Sequence, residues 1–123
     1  CAMLDFVRSL IRADVLDEPV QAVRFLGLDD DGLREHSHHP EREEGQPHFL
    51  PAPDDPPILL RLNRLRTAVR QTELLACHAF SRPDGTLARP DIIKALNRLS
   101  SLCWILMIRE KKNAQGKTAS RAL

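Results

Sequence analysis

Apolar residues recur at helical spacing in three stretches of the chain, and between those stretches the spacing is lost. In "AMLDFVRSLIRADVL", Leu4, Val7, Leu10, Ile11 and Val15 fall on one side and Pro19 stops the run, which predicts a first amphipathic helix packed through that stripe. From Ile58 to about Phe80 the residues Ile58, Leu62, Leu65, Val69, Ala76 and Phe80 share a face. At ~100° per residue, Arg66, Arg70, Glu73 and Cys77 then form a second stripe about a quarter-turn away. "SRPDG" (81–85) reads as a turn, and Pro90 and Asp91 suit the start of a third helix. That helix carries Ile92, Ile93, Leu96, Leu99 and then "LCWILMI" up to about residue 110. Being apolar all round, it should be buried all round, in a bundle centre or a subunit interface. Asn97 and Ser100 sit beside its apolar face and need partners there.

The stretch 18–57 is different in kind. It holds most of the prolines, four of the five histidines and many acids, and is expected to be mostly loop. "DDDGLREHS" has the composition for two short turns with Asp29 or Asp30 as N-cap. A loop of this length inside a compact domain is usually functional or disordered. After Arg109, "REKKNAQGKTASRAL" loses periodicity, which predicts a flexible basic tail over 111–123. The fold class is therefore all-α: one helical domain over 1–110, bundle-like, with three main helices, short of a complete bundle.

Composition narrows the function classes. Lys+Arg 18 against Asp+Glu 17 leaves no field that would draw the chain to nucleic acid or an anionic membrane. No apolar run reaches the ~18 residues of a membrane span. Cys1, Cys77 and Cys103 are odd in number and far apart, without a CxxC clip, which points to a reducing compartment. The chain starts at Cys1 and enters a helical pattern without a cap, as a piece of something longer would.

Three features carry candidate chemistry. Arg66 and Arg70 at i and i+4 place like charges ~5–6 Å apart, a small cost unless an anion lies between them. The stripe reads either as a solvated face or as a polyphosphate site, since the guanidinium fork suits phosphate oxygens. Glu73, one turn on, would orient Arg70 or hold a ribose hydroxyl or Mg²⁺. Asn97 reads either as a satisfied core residue or as a ligand contact; antiparallel packing of the two long helices would bring it to the level of Arg70 and Glu73. The histidines at 36, 38, 39 and 48 match no helix-borne ligand pattern, so no metal site is assigned. No nucleophile elbow, P-loop or H-E-x-x-H is present, so an enzymatic nucleophile would belong to substrate or cofactor.

"RADVLDEP" (12–19), "SHHP" (37–40), "LNRLRTAVRQTE" (62–73) and "RPDIIKALNRLSS" (89–101), in that order, resemble the C-terminal half of the ethanolamine-utilisation corrinoid (cobalamin) adenosyltransferases. The wider superfamily pairs an "R-x-x-x-R-x-x-E" helix with a helix bearing "LNRLS". The resemblance implies a ferritin-like helical bundle that transfers the 5′-deoxyadenosyl group of ATP to the cobalt of cob(I)alamin. Residue by residue, it assigns Arg66, Arg70, Glu73, Asn97, Arg98 and Ser100 to ATP and its Mg²⁺, with Arg70 and Glu73 as the catalytic pair. Arg66 would be a structural arginine paired with an acid, and Ser100 would support the group by hydrogen bonding. Cobalamin would lie against the loop before the first long helix, with Phe49 of "HFLP" displacing the lower axial ligand; His38 of "SHHP" is placed on the same side. A homo-oligomer with its site between subunits is implied, in the cytoplasm and associated with a bacterial microcompartment.

The sequence also departs from that family. The upstream cysteine-rich divalent-metal motif is absent from these residues, and so is the helix that would supply the acid for Arg66, leaving Asp14 as a substitute. The alternative is a non-catalytic helical oligomerisation module, a truncated or degraded homologue, driven by the apolar last helix. A weak nucleic-acid binder would need steep salt dependence and more positive charge than the chain carries.

Overall fold

The structure, a computed structural model, describes residues 1–122, with side chains through Gly116. Five helices follow in order: α1 (Ala2–Leu16), α2 (Asp30–His38), α3 (Pro40–Glu44), α4 (Pro57–Ala79) and α5 (Pro90–Ala122). Among the described residues there is no strand; isolated bridges close only the tight turns Phe25–Leu28 and Ser81–Leu87. The segment 18–57 contains just the two short helices α2 and α3, the first capped by the Asp29 carboxylate accepting from the Gly32 amide at 2.8 Å.

The spine is α5, on which all four other helices pack. Its residues Ile92, Ala95, Leu96, Leu99, Leu102, Cys103, Trp104, Ile105, Met107 and Ile108 are all buried, as an all-round apolar helix requires. α4 returns antiparallel along it. Val69, Ala76 and Phe80 pack near Ile92–Leu99, whereas Leu59 and Leu62 reach Trp104, Met107 and Ile108.

The apolar faces of two helices differ from those the spacing predicts. In α4, Leu59 is fully buried while Leu65 is 40% exposed and Ile58 is exposed as well. The face against α5 runs 59, 62, 66, 69, 73, 76, 80, a spacing of 3.5 that keeps one seam on a neighbouring helix. Arg66 and Glu73 therefore lie on the packed seam itself, half-buried, and not on a separate stripe; Arg70 sits exposed at its edge. In α1 the buried side is Phe6, Leu10 and Ala13, with Ile11 60% and Val15 73% exposed. That helix has apolar residues on two sides, and the T-shaped contact of Phe6 with Phe25 (ring centroids 5.5 Å apart) favours the first.

The end of α5 is the third correction. In place of a tail from residue 111, the helix continues to Ala122. Glu110, Lys111, Lys112, Ala114 and Gln115 are good helix formers, and two of them are anchored: Lys111 Nζ lies 2.7 Å from Asp55 Oδ1, and Lys112 donates to the Glu44 carbonyl at 3.0 Å. Leu123 and the side chains of 117–123 lie outside the described residues.

At the other end, Arg89 of "RPDI" explains why that motif begins with arginine. It donates to the carbonyls of Ala13 (2.9 Å) and Glu18 (2.6 Å) at the end of α1, and Asp91 holds its guanidinium at 3.1 Å. Asp14 belongs to this neighbourhood, adding to the field on Arg89, and does not serve Arg66.

Packing predicts that Leu59→Ala costs about 2–5 kcal/mol by opening a cavity, while Leu65→Ala costs well under half as much; urea unfolding of the two variants checks the seam. Carboxylates set the acid limit. Arg89 holds Asp91 below the ordinary carboxylate value. In Glu44, burial alone would raise it, but Arg109 and His36 outweigh that and hold it low. Groups with depressed folded values stabilise fully above their unfolded values, near 3.8 and 4.5, and lose that stabilisation as pH falls through the folded ones. The melting temperature should therefore be flat down to about pH 5 and fall below about pH 4. Glu44→Gln should lower it at neutral pH and flatten the acid limb.

Candidate functional site

Where the α4 seam carries Arg66 and Glu73, α5 answers with Asn97, Ser100 and Ser101 instead of large apolar residues. An open hollow of about 900 Å³ lies there, lined on the helix side by Arg66, Arg70, Asn97, Ser100, Ser101 and Trp104. Its other wall is the end of α2 (Ser37, His38), the following His39, and the segment His48–Pro51.

The antiparallel register makes the link expected between the two motifs. Asn97 Nδ2 donates to Glu73 Oε1 at 3.1 Å, bridging α5 to α4 beside the arginines. Ser101 donates to the Asn97 carbonyl at 3.3 Å. Glu73 is not itself on the hollow wall but fixes the amide that is.

Arg66 is the unusual group. It has no acidic partner among the described residues, contrary to the expectation of a structural ion pair. Its guanidinium carbon lies 5.2 Å from the centroid of the Trp104 ring, in cation–π contact, and its Nε is buried without a hydrogen-bond partner. Burial weakens its hold on the proton and the neighbouring Arg70 adds to this, with only the Cys103 side opposing. Two guanidinium groups, one short of a hydrogen bond and neither neutralised by a carboxylate, face one cavity. A buried donor left unmade costs about 1–3 kcal/mol.

The Trp104 ring beneath Arg66 also carries an aromatic group. His48 stacks on Trp104 with centroids 5.8 Å apart and planes at 15°, and Phe49 lies tilted against the same ring at 5.0 Å. Phe49 and His38 thus share the hollow with Arg66, Arg70, Asn97 and Ser100. Arg98 does not. Successive residues on a helix point about 100° apart, and Arg98 faces α2, where its Nε donates to Asp30 Oδ1 at 2.7 Å in a partly buried ion pair. Burial would raise the Asp30 carboxyl, but Lys94 and Arg98 outweigh it and hold it low. Its place is in fastening α2 to the spine.

Sequence reasoning missed Trp104, His48 and His39 on this wall. The first was hidden in an apolar run, although a single tryptophan beside "LNRLSS", seven residues after Asn97, is a signal that helical spacing could have used. Among the described residues no three His, Cys, Asp or Glu side chains are grouped to hold a metal ion.

A family profile described as cobalamin adenosyltransferase matches residues 29–110. The corrinoid adenosyltransferase EutT of Salmonella typhimurium is 42% identical over 100 residues, covering 81% of this chain and 38% of that protein. Its counterparts in two strains of Escherichia coli are 40% identical over the same length and coverage. The chain thus spans under half the length of the curated relatives it matches. No solved structure matches it. With two thirds of its residues inside the family profile, and with the matched motifs meeting at one hollow, the chain belongs to the cobalamin adenosyltransferase family.

Proposed function

We propose that this chain carries the nucleotide-gripping part of an ATP:cob(I)alamin adenosyltransferase of the ethanolamine-utilisation type. One observation carries the reading: two guanidinium groups without carboxylate partners and an amide held by Glu73 converge on the same hollow as an aromatic wall. In the reaction, reduced cobalt of the corrinoid substrate attacks the 5′ carbon of ATP. The carbon–oxygen bond breaks, and triphosphate departs with the electron pair. Negative charge grows on the leaving oxygen, so fixed cations beside the phosphates lower the barrier more than they tighten ground-state binding.

In this scheme Arg70, exposed at the mouth, receives the polyphosphate, and the Arg66 guanidinium adds positive charge from the half-buried side. Asn97, oriented by Glu73, fixes the nucleotide's position, and Ser100 lines its floor. Mg²⁺ commonly takes one or two carboxylates plus phosphate oxygens, and no carboxylate lines the hollow, so the ion would be held by the triphosphate and water. Phe49 and His38 form the side facing the corrinoid. The protein's contribution is positioning and electrostatics, because the nucleophile belongs to the substrate.

Exposed apolar side chains on the outer faces, Leu74 and Leu75 of α4 and Ile11 and Val15 of α1, support the expectation of a homo-oligomer. Among the described residues no helix is long and apolar enough to cross a membrane; the cytoplasmic, microcompartment-associated setting is proposed from the family resemblance alone.

Nucleotide binding to the folded chain raises its stability by linkage, about 2.7 kcal/mol at a hundredfold excess over Kd. For a domain of this size that is a rise in Tm on the order of 10 °C with ATP and Mg²⁺. Arg70→Ala should abolish most of it, and Arg8→Ala, on α1 away from the hollow, should leave it intact. An unchanged Tm at saturating ATP would overturn the reading. For assembly, Leu74→Glu combined with Leu75→Glu should lower the sedimentation mass.

A further inference from the structure

The segment between Gly45 and Pro56 has no helix or strand, yet it supplies one wall of the hollow through His48, Phe49, Leu50 and Pro51. Something must hold it. Both of its ends are gripped by one turn of α5. At the near end, the Glu44 carboxylate is only 8% exposed and accepts from Arg109, with His36 Nδ1 also at 2.9 Å. Lys112 donates to the Glu44 carbonyl at 3.0 Å. Gly45 follows with φ 70°, and a Cβ there would come within 3.1 Å of Lys112 Nζ, so a larger residue would be strained and would crowd the ammonium. At the far end, Asp55 is buried, its carboxylate 5% exposed. One of its oxygens takes Lys111 at 2.7 Å and the other accepts the Ala52 amide at 2.7 Å.

The middle is fixed by the same helix. Lys111 Nζ lies 5.3 Å from the centroid of the Phe49 ring, and Phe49 and His48 rest on Trp104. Exposed ion pairs are worth little, but carboxylates this buried are committed to their partners, since breaking either pair strands a charge out of water.

We propose that Arg109, Lys111 and Lys112 are positioning residues that clamp the loop 45–56 at both ends and so set the distance between Phe49 and the arginine side of the hollow. They touch neither substrate. They act through the loop, and the two ends of the clamp lie on opposite sides of the residues it aims. The inference rests on the proposed reading in taking that wall as the corrinoid side. On this view, loosening the clamp weakens corrinoid binding selectively and leaves the nucleotide grip on α4 and α5 unaffected.

The chain's single tryptophan, Trp104, reports the loop directly. Lys111→Met, Asp55→Asn and Lys111→Arg are compared with the unaltered chain by acrylamide quenching of Trp104, by the ATP-dependent rise in Tm, and by equilibrium dialysis of hydroxocobalamin. Lys111→Met and Asp55→Asn should at least double the quenching constant and raise the corrinoid Kd about tenfold, with the ATP response retained. Lys111→Arg should restore both values. Unchanged quenching and affinity in a Lys111→Met chain with normal helical ellipticity overturns the clamp, and so does loss of the ATP response in step with corrinoid affinity. Should Lys111→Met fail to fold, Lys112→Ala, at an exposed position on the same turn, carries the same two expectations. If the unaltered chain binds no hydroxocobalamin, the corrinoid half of the proposed function fails, and the quenching data alone decide whether the loop is clamped.

Discussion

The antiparallel contact of α4 with α5 is the constraint on which the rest depends. α5 is apolar enough to demand cover on every side, and α4 supplies cover through a seam repeating every 3.5 residues. Two positions of that seam, 66 and 73, are charged. A charged group can occupy a packed seam only if it is partnered or if the seam opens, because desolvating it unpaired costs several kcal/mol. Here Glu73 takes the Asn97 amide, while Arg66 lies over the Trp104 ring and, with the small polar residues Ser100 and Ser101, lines a hollow. Above and below, at Leu59 with Met107 and at Val69 with Leu99, the contact closes again as ordinary core. The cavity lies where this polar part of the helix pair faces the end of α2 and the segment 48–51.

The remaining elements frame this gap. Arg89 and Asp91 bind α1 to the start of α5, and the Arg98–Asp30 pair fastens α2, whose last residues reach the hollow. Arg109, Lys111 and Lys112 hold the loop that completes the wall. Each fastening joins a basic residue of α5, or the residue just before it, to acids or carbonyls of a separate segment, so the spine organises its neighbours by charge as well as by burial.

Much of this was legible in the sequence, and the parts that were not have physical reasons. The three long helices, their antiparallel order and the meeting of Glu73 with Asn97 follow from periodicity, a short Gly-containing turn and motif spacing. The faces of α1 and α4 do not, because each helix has apolar residues on two sides and only the tertiary partner chooses between them; Ile11 and Leu65 lost that choice to Phe6 and Leu59. Arg98 was grouped with the nucleotide residues because it stands inside "LNRLSS", yet a motif gives adjacency in sequence and a helix turns neighbours to different sides. The length of α5 was missed because its last turns are held by Glu44 and Asp55, more than fifty residues away. Trp104 was passed over as one more apolar residue in a buried run, although its ring is the surface on which both walls of the hollow meet.

The central claim is that Arg66, Arg70 and Asn97 form one receptor for a chain of phosphates. Isothermal titration of inorganic triphosphate, which has no base or ribose to find other footholds, tests it most directly. Binding at one site per active centre, weakened by added salt and lost in the Arg66→Ala and Arg70→Ala chains but kept in Arg98→Lys, is the result expected. Heats at the level of dilution with the folded, unaltered chain, or equal binding by all four proteins, would contradict it.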